Sequence, residues 1–113
     1  MNEKKKISVL FCCMGNICRS PTAHGVFEAM VEREGLVELV QVDSAGTHAY
    51  HIGKPPDSRS QQEAMTHGVD LSDQRARQVE GRDFSRFDYI LAMDHDNYKN
   101  LSALCPAGME DRL

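Results

Sequence analysis

Ile7-Ser8-Val9-Leu10-Phe11-Cys12-Cys13-Met14-Gly15-Asn16-Ile17-Cys18-Arg19-Ser20-Pro21 is the stretch on which the architecture turns. Its first five residues form a short apolar run, read as a strand buried on both faces, as in a parallel sheet. Pro21 suits the first position of a helix, and Ser20 before it reads as the N-cap. Between strand and helix lies a loop that carries two cysteines at its start and Arg19 at its end. A loop in that position turns backbone N–H groups and a helix N-terminus toward one point, where an oxyanion can sit. An arginine adds a fork for two of its oxygens.

A cysteine there has a use only as a thiolate, and a helix N-terminus with a nearby cation favours that form. Cys12 and Cys13 alternate along the strand end, so one points into the core and the other into the loop. Cys13 gives the C-x5-R spacing to Arg19 and is the candidate nucleophile. Cys12 and Cys105 read as small apolar core residues. The Ser20 hydroxyl has a second possible role beside capping, as a donor to the sulfur. No C-x-x-C is present and the cysteine spacings are not the usual ligand pairs, so neither a metal site nor a dithiol redox motif is expected. No cofactor is implied.

Outward from the loop, strands and helices alternate. Pro21 to about Glu34 shows a helical stripe of Ala23, Val26, Phe27, Met30 and Val31, closed by Gly35. Val37 to Val42 is predicted as a second strand, and Ser44 to Asp57 as an ordered loop. Ser58 to His67 is predicted as a helix ended by Gly68. Asp70 to Asp83 is polar and irregular, with a short helix near Ser72 to Arg75. Tyr89 to Met93 is a third strand, and Asp96 to Leu104 a helix before Pro106. This order implies right-handed β-α-β units on a parallel sheet, with ligands outside the carboxyl ends of the strands. Asp94 falls at such an end. It is either a carboxylate on the cleft floor, paired with Arg59, or the N-cap of the helix that follows.

The stretch Leu10 to Pro21 resembles the signature loop of the low-molecular-weight protein tyrosine phosphatases. Further segments match in order: Asp43-Ser44-Ala45-Gly46-Thr47, Gly53-Lys54-Pro55-Pro56-Asp57-Ser58-Arg59, His67-Gly68-Val69, Arg75-Ala76-Arg77-Gln78 and Phe87-Asp88-Tyr89-Ile90-Leu91-Ala92-Met93-Asp94. The resemblance spans nearly the whole chain. It implies a three-layer α/β/α fold of the phosphotyrosine phosphatase I-like type, with a short parallel twisted sheet and one phosphatase domain over residues 1–113. It also implies that Cys13 forms a cysteinyl-phosphate, that Arg19 and the backbone of Met14, Gly15, Asn16, Ile17 and Cys18 hold the phosphate, and that Ser20 assists the thiolate. Asn16 takes an unusual loop conformation braced by Ser44 and His67, and Tyr50 stands on the cleft wall. From the residues alone, His67 before Gly68 is equally a helix C-terminal histidine, and Tyr50 a plain loop tyrosine.

In that family an aspartate of an Asp-Pro-aromatic motif near the C-terminus protonates the leaving oxygen. No Asp-Pro occurs in this sequence. The expectation is a C-terminally shortened member, without the family's last strand and helix, whose turnover of phosphotyrosine is impaired. The strand around Tyr89-Ile90-Leu91 would then keep an uncovered edge through which chains could associate. Two other functions compete. A non-catalytic module would bind phosphate or phosphotyrosine without cleaving it. An arsenate reductase on the same fold would need relay cysteines near the first, and none lies between Cys18 and Cys105.

Composition sets the remaining bounds. A length of 113 residues suits one domain. A net charge of −4 gives no electrostatic case for nucleic acid, and Lys4-Lys5-Lys6 reads as a solvated flank. No apolar run reaches membrane-spanning length, and the N-terminus is too charged for a signal peptide. Three cysteines crowded in one loop do not form a disulfide framework. A reducing cytoplasm fits them, with Cys18, or Cys12, as redox partner of an oxidised Cys13.

Overall fold

The computed structural model describes residues 6–113; Met1 to Lys5, and with them most of the lysine run, lie outside the described residues. Three parallel strands form one sheet in the order β2-β1-β3: β1 (Ile7–Cys13), β2 (Val40–Gly46) and β3 (Tyr89–Ala92). The helices are α1 (Arg19–Arg33), α2 (Ser58–Thr66), α3 (Asp83–Arg86) and α4 (His95–Leu104), with a 3-10 turn at Glu110–Arg112.

β1 is central because it is apolar on both faces. Leu10 and Cys12 point into a core with Ala45, Val79, Phe84, Phe87, Ile90 and Leu101. Phe11 points the other way and meets Phe27 of α1 edge to face, with ring centroids 5.8 Å apart. Side chains alternate across a strand, so α1 covers one face and the α3–α4 segment the other. The outcome is the three-layer α/β/α arrangement. Among the described residues β3 pairs only with β1, and its own Tyr89 and Leu91 are exposed.

The helix α3 and the turn at Glu110–Arg112 were not expected, and three further differences bear on the loop. The second strand starts later and runs further, over Val40–Gly46, because residues 36–39 turn back on the helix end: Leu36 N donates to Val31 O and Leu39 N to Leu36 O. β2 then follows β1 to its tip, with Phe11 opposite Ser44 and Cys13 opposite Gly46. That extension brings Ser44 and Gly46 to the loop. The short helix near Ser72 to Arg75 does not form; a single turn stands there, with Gln74 N donating to Leu71 O. The segment after it is held by neighbouring backbone: Gly46 N donates to Arg77 O, Val79 N to Gly46 O and Gly53 N to Ala76 O. Leu71, Ala76 and Val79 are buried, so this polar-looking stretch contributes to the core. Finally, α1 begins at Arg19, with Cys18 at the N-cap position and no side-chain cap bond. Ser20 is therefore not the cap; its hydroxyl is committed elsewhere.

Candidate active site

The loop from Cys13 to Arg19 is fixed from outside. Thr47 N donates to Cys13 O, His48 N to Met14 O and Asp57 N to Ile17 O, the last at 2.7 Å. Three of the loop's carbonyls are thereby tied to the surrounding backbone. Gly46 lets β2 approach this closely: a Cβ there would lie 2.9 Å from Met14 O and 3.1 Å from Asn16 N.

Asn16 locks the loop from within. Its backbone is left-handed (φ +59°), a region that asparagine tolerates better than most residues. Its side chain, in a residue only 2% exposed, makes three hydrogen bonds. Oδ1 accepts from Arg77 N at 3.0 Å, and Nδ2 donates to Ser20 Oγ at 2.9 Å and to Ser44 Oγ at 3.0 Å. The Arg77 contact sets the amide's orientation, because a backbone N–H can only meet the amide oxygen.

That orientation decides what Ser20 does. Its oxygen already accepts from Asn16, so its own proton is free for the sulfur, and Ser20 Oγ lies 3.0 Å from Cys13 Sγ. Asn16 N also donates to Sγ, at 3.3 Å. Burial pushes the Cys13 thiol up, but the Ser20 hydroxyl and the backbone N–H groups of Ser20, Asn16 and Gly15 outweigh it, and the pKa lies below the ordinary thiol value. Cys12, one residue earlier, faces the core. Burial pushes its thiol up to about 12. The two cysteines thus divide as the strand alternation requires.

Met14, Gly15, Ile17, Cys18, Arg19, Tyr50 and His51 surround Cys13 in a cleft of about 290 Å³. Cys18 is exposed. Tyr50, 66% exposed, stands on the cleft wall and stacks on His48 with ring centroids 5.1 Å apart. His51 meets Tyr50 edge to face, with ring centroids 6.4 Å apart, and lies close to Gly15; sequence reasoning passed over it. Its signal was position alone, next to a candidate wall residue. Arg19 is half-exposed, and its Nη2 meets Asp94 Oδ2 at 2.8 Å. Asp94 Oδ1 accepts from Asn97 N at 2.8 Å, so Asp94 is the N-cap of α4; it is not among the residues that line the cleft and meets it only through Arg19. These bonds, Asn97 first and then Arg19, hold its carboxyl below the usual range. Its ionic partner is not Arg59, which points to solvent near Asp57.

His67 is corrected in the same way. It sits at the C-cap of α2, exposed, with Nε2 3.2 Å from Glu63 Oε2, and Gly68 follows at φ +76°. It makes no bond to the Asn16–Ser44 pair. Two other side chains brace Ser44: His24 Nδ1 lies 3.2 Å from Ser44 Oγ, and Ser44 Oγ donates to Gln74 Oε1 at 3.4 Å. Gln74 is oriented by its Nε2, which donates to Pro21 O at 2.9 Å. His24 could have been found from its place four residues after Ser20, on the same helix face. Arg77 was also missed as a support. Its guanidinium bridges Asp43 and the fully buried Asp83, which anchors the irregular segment whose N–H holds Asn16.

A larger hollow of about 540 Å³ lies between α1 and α2, lined by Thr22, Val26, Glu63 and Ala64. It touches the loop only at Cys18 and holds no nucleophile with a donor on it. Among the described residues no three His, Cys, Asp or Glu side chains cluster as a metal site, and no helix is long and apolar enough to cross a membrane.

The family model described as low molecular weight phosphotyrosine protein phosphatase matches residues 8–112. The human protein of that name is 48% identical over 102 residues, covering 90% of this chain and 64% of the relative. The chain therefore spans about two thirds of the length of the curated relatives it matches. A crystal structure of a protein tyrosine phosphatase from Entamoeba histolytica superposes with a TM-score of 0.90 at 41% identity, covering 95% of this chain and 68% of that one. YfkJ from Bacillus subtilis does so with a TM-score of 0.89 at 40% identity, covering 97% and 68%. Loop, sheet order and sequence agree, and the chain belongs to the low molecular weight phosphotyrosine protein phosphatase family.

Proposed function

We propose that this chain cleaves aryl phosphomonoesters, phosphotyrosine among them, through a cysteinyl-phosphate on Cys13. The observation that carries the reading is the sulfur's setting: a buried cysteine with a serine hydroxyl at 3.0 Å and a backbone N–H at 3.3 Å, below an uncapped helix start. The thiolate attacks phosphorus, forming the S–P bond as the P–O bond to the aryl group breaks. The loop N–H groups and the first turn of α1 take the equatorial oxygens. Arg19 turns from Asp94 to bind two of them. Water then attacks phosphorus, the S–P bond breaks, and the Ser20 hydroxyl donates to the departing sulfur. No metal or organic cofactor takes part in this scheme, and a reducing compartment such as the cytoplasm keeps the thiol available.

The departing aryl oxygen needs a proton in the first step. General acids contribute about 10²–10⁴-fold to such steps. Asp94 is a poor candidate, since it is ionised in its bonds to Arg19 and Asn97. The polypeptide Met1–Leu113 is therefore expected to turn over a good leaving group, such as p-nitrophenolate, far better than phosphotyrosine. Steady-state kinetics on both substrates, with Cys13→Ser as the inactive control, tests the reading. Turnover that survives Cys13→Ser refutes it. Binding of phosphate with no turnover of any aryl phosphate would replace it with a phosphate-binding module.

A further inference from the structure

One side chain on the cleft suits the proton that the departing oxygen needs. Besides Cys13 and the apolar part of the loop, Cys18, Arg19, Tyr50 and His51 line this space. A guanidinium does not release a proton, and an ordinary thiol or phenol holds its own above neutral pH. Imidazole changes charge between about pH 5 and 8. We propose that His51 is a catalytic residue, whose imidazolium gives its Nε2 proton to the aryl oxygen as the P–O bond breaks. This rests on the reading of Cys13 as the nucleophile toward aryl phosphates.

The ring is placed for that step. Its Cδ2–Nε2 edge faces the loop: a Cβ built on Gly15 would lie 2.8 Å from Cδ2 and 3.6 Å from Nε2, so the glycine leaves the room that the ring occupies. Tyr50 sets the tilt of the ring from one side, and is itself stacked on His48. The backbone is held as well, with Lys54 N donating to His51 O and Gly53 N to Ala76 O. Both ring nitrogens remain uncommitted. The rings of His24, His48 and His67 meet Ser44, Thr47 and Glu63, whereas His51 has no hydrogen-bond partner among the described residues. A half-buried imidazole on the cleft, with no bond of its own to break, can meet the substrate directly.

The step balances. Cys13 thiolate forms the S–P bond, the P–O pair goes to the aryl oxygen, and the His51 proton makes it a phenol. Neutral His51 then takes a proton from the water that attacks phosphorus, and the S–P pair returns to sulfur. The titratable groups around the ring are Cys13, Cys18 and Arg19 from the loop and the start of α1, and His48, Tyr50 and Lys54 from its own segment. None of these is a carboxylate. The bound phosphate dianion therefore supplies the negative charge that favours the imidazolium.

The test compares kcat/KM across a series of ring-substituted phenyl phosphates, because an acid matters most where the leaving oxygen is most basic. At about pH 6, His51→Gln is expected to lower kcat/KM about 10²-fold for phenyl phosphate, the low end for a general acid, and about a tenth of that for p-nitrophenyl phosphate. The dependence on leaving-group basicity should thus steepen. In the native protein the phenyl to p-nitrophenyl ratio should fall as pH rises, with the midpoint that NMR titration gives for the His51 ring; in His51→Gln the ratio should be flat. Equal losses for all leaving groups, the mark of a merely structural role, would overturn the proposal. So would a native ratio that does not follow the His51 midpoint, an arm that needs no variant for its kinetics. The phosphatase reading fails separately, by turnover that survives Cys13→Ser or by no turnover of p-nitrophenyl phosphate.

Discussion

Removing one hydroxyl tests the electrostatics of the loop directly. In Ser20→Ala the sulfur loses its bond at 3.0 Å from a residue that is fully buried. A hydrogen bond to a charged group contributes about 1.5–3 kcal/mol. The sulfur borders an open cleft, so the lower end applies, and about 1.4 kcal/mol is a factor of ten. The thiolate-to-thiol ratio at a given pH should therefore fall about tenfold, and by no more than about a hundredfold. The direction follows from the native state. The Cys13 thiol lies below its ordinary pKa with Ser20 as the leading stabiliser against burial, so the variant's midpoint moves up. Alkylation by iodoacetamide, followed at the Cys13 peptide by mass spectrometry from pH 5 to 10, should be slowed below the native midpoint. It should converge with the native rate at high pH. Cys12, buried and with a thiol pushed up to about 12, is an internal control that stays unreacted. Asn16 Nδ2 also loses an acceptor, which lowers stability by about 1–3 kcal/mol, so the melting temperature should fall too. Superposable pH profiles would refute the assignment of Ser20. A loss of equal size at every pH would also refute it, since that signature belongs to access and not to ionisation.

Other positions give sharper contrasts. Asp94→Asn keeps a residue suited to the N-cap of α4 but removes the charge from Arg19, so phosphate should bind more tightly by calorimetry with little change in melting; weaker binding would show that Asp94 serves mainly to aim the guanidinium. Gly46→Ala would place a Cβ 2.9 Å from Met14 O, forcing the loop to shift; fast alkylation of Cys13 and phosphate binding should be lost while the circular dichroism spectrum is kept. One equivalent of peroxide converts Cys13 to a sulfenic acid, and the exposed Cys18 thiol displaces water from it to close a disulfide; a non-reducing peptide map should show that link, and Cys18→Ser should instead accumulate sulfinic and sulfonic Cys13.

The parts of this molecule written in local sequence were readable. An apolar run, a cysteine, an arginine six residues on and a proline at the helix start determine β1, the loop and α1 without reference to anything distant. The side chains that brace the loop were not. Asn16 requires only an acceptor at Ser44 and a donor at its oxygen, and the fold supplies these from α1, β2 and the segment around Gln74 and Arg77. No spacing encodes that convergence, so nothing local distinguished His24 of α1 from a histidine at a helix end. His67 had the local signal of a helix end and does that job; His24 had only a shared helix face.

The segment from Asp70 to Asp83 is irregular as expected, but its share in the core was not legible, for the same reason. Its apolar residues Leu71, Ala76 and Val79 follow neither helical nor strand period, because it is shaped by bonds to its neighbours and not by a pattern of its own. Gly46 and Gly53 grip its backbone, and in return Arg77 N–H fixes the Asn16 amide. The orientation of that amide then frees the Ser20 proton for the sulfur. The polarity of the surroundings of Cys13 is thus set by a backbone N–H sixty-one residues from Asn16 in sequence. A substitution that displaces this segment, far from the cleft, should raise the Cys13 thiol as Ser20→Ala does, because both break the same chain of donors.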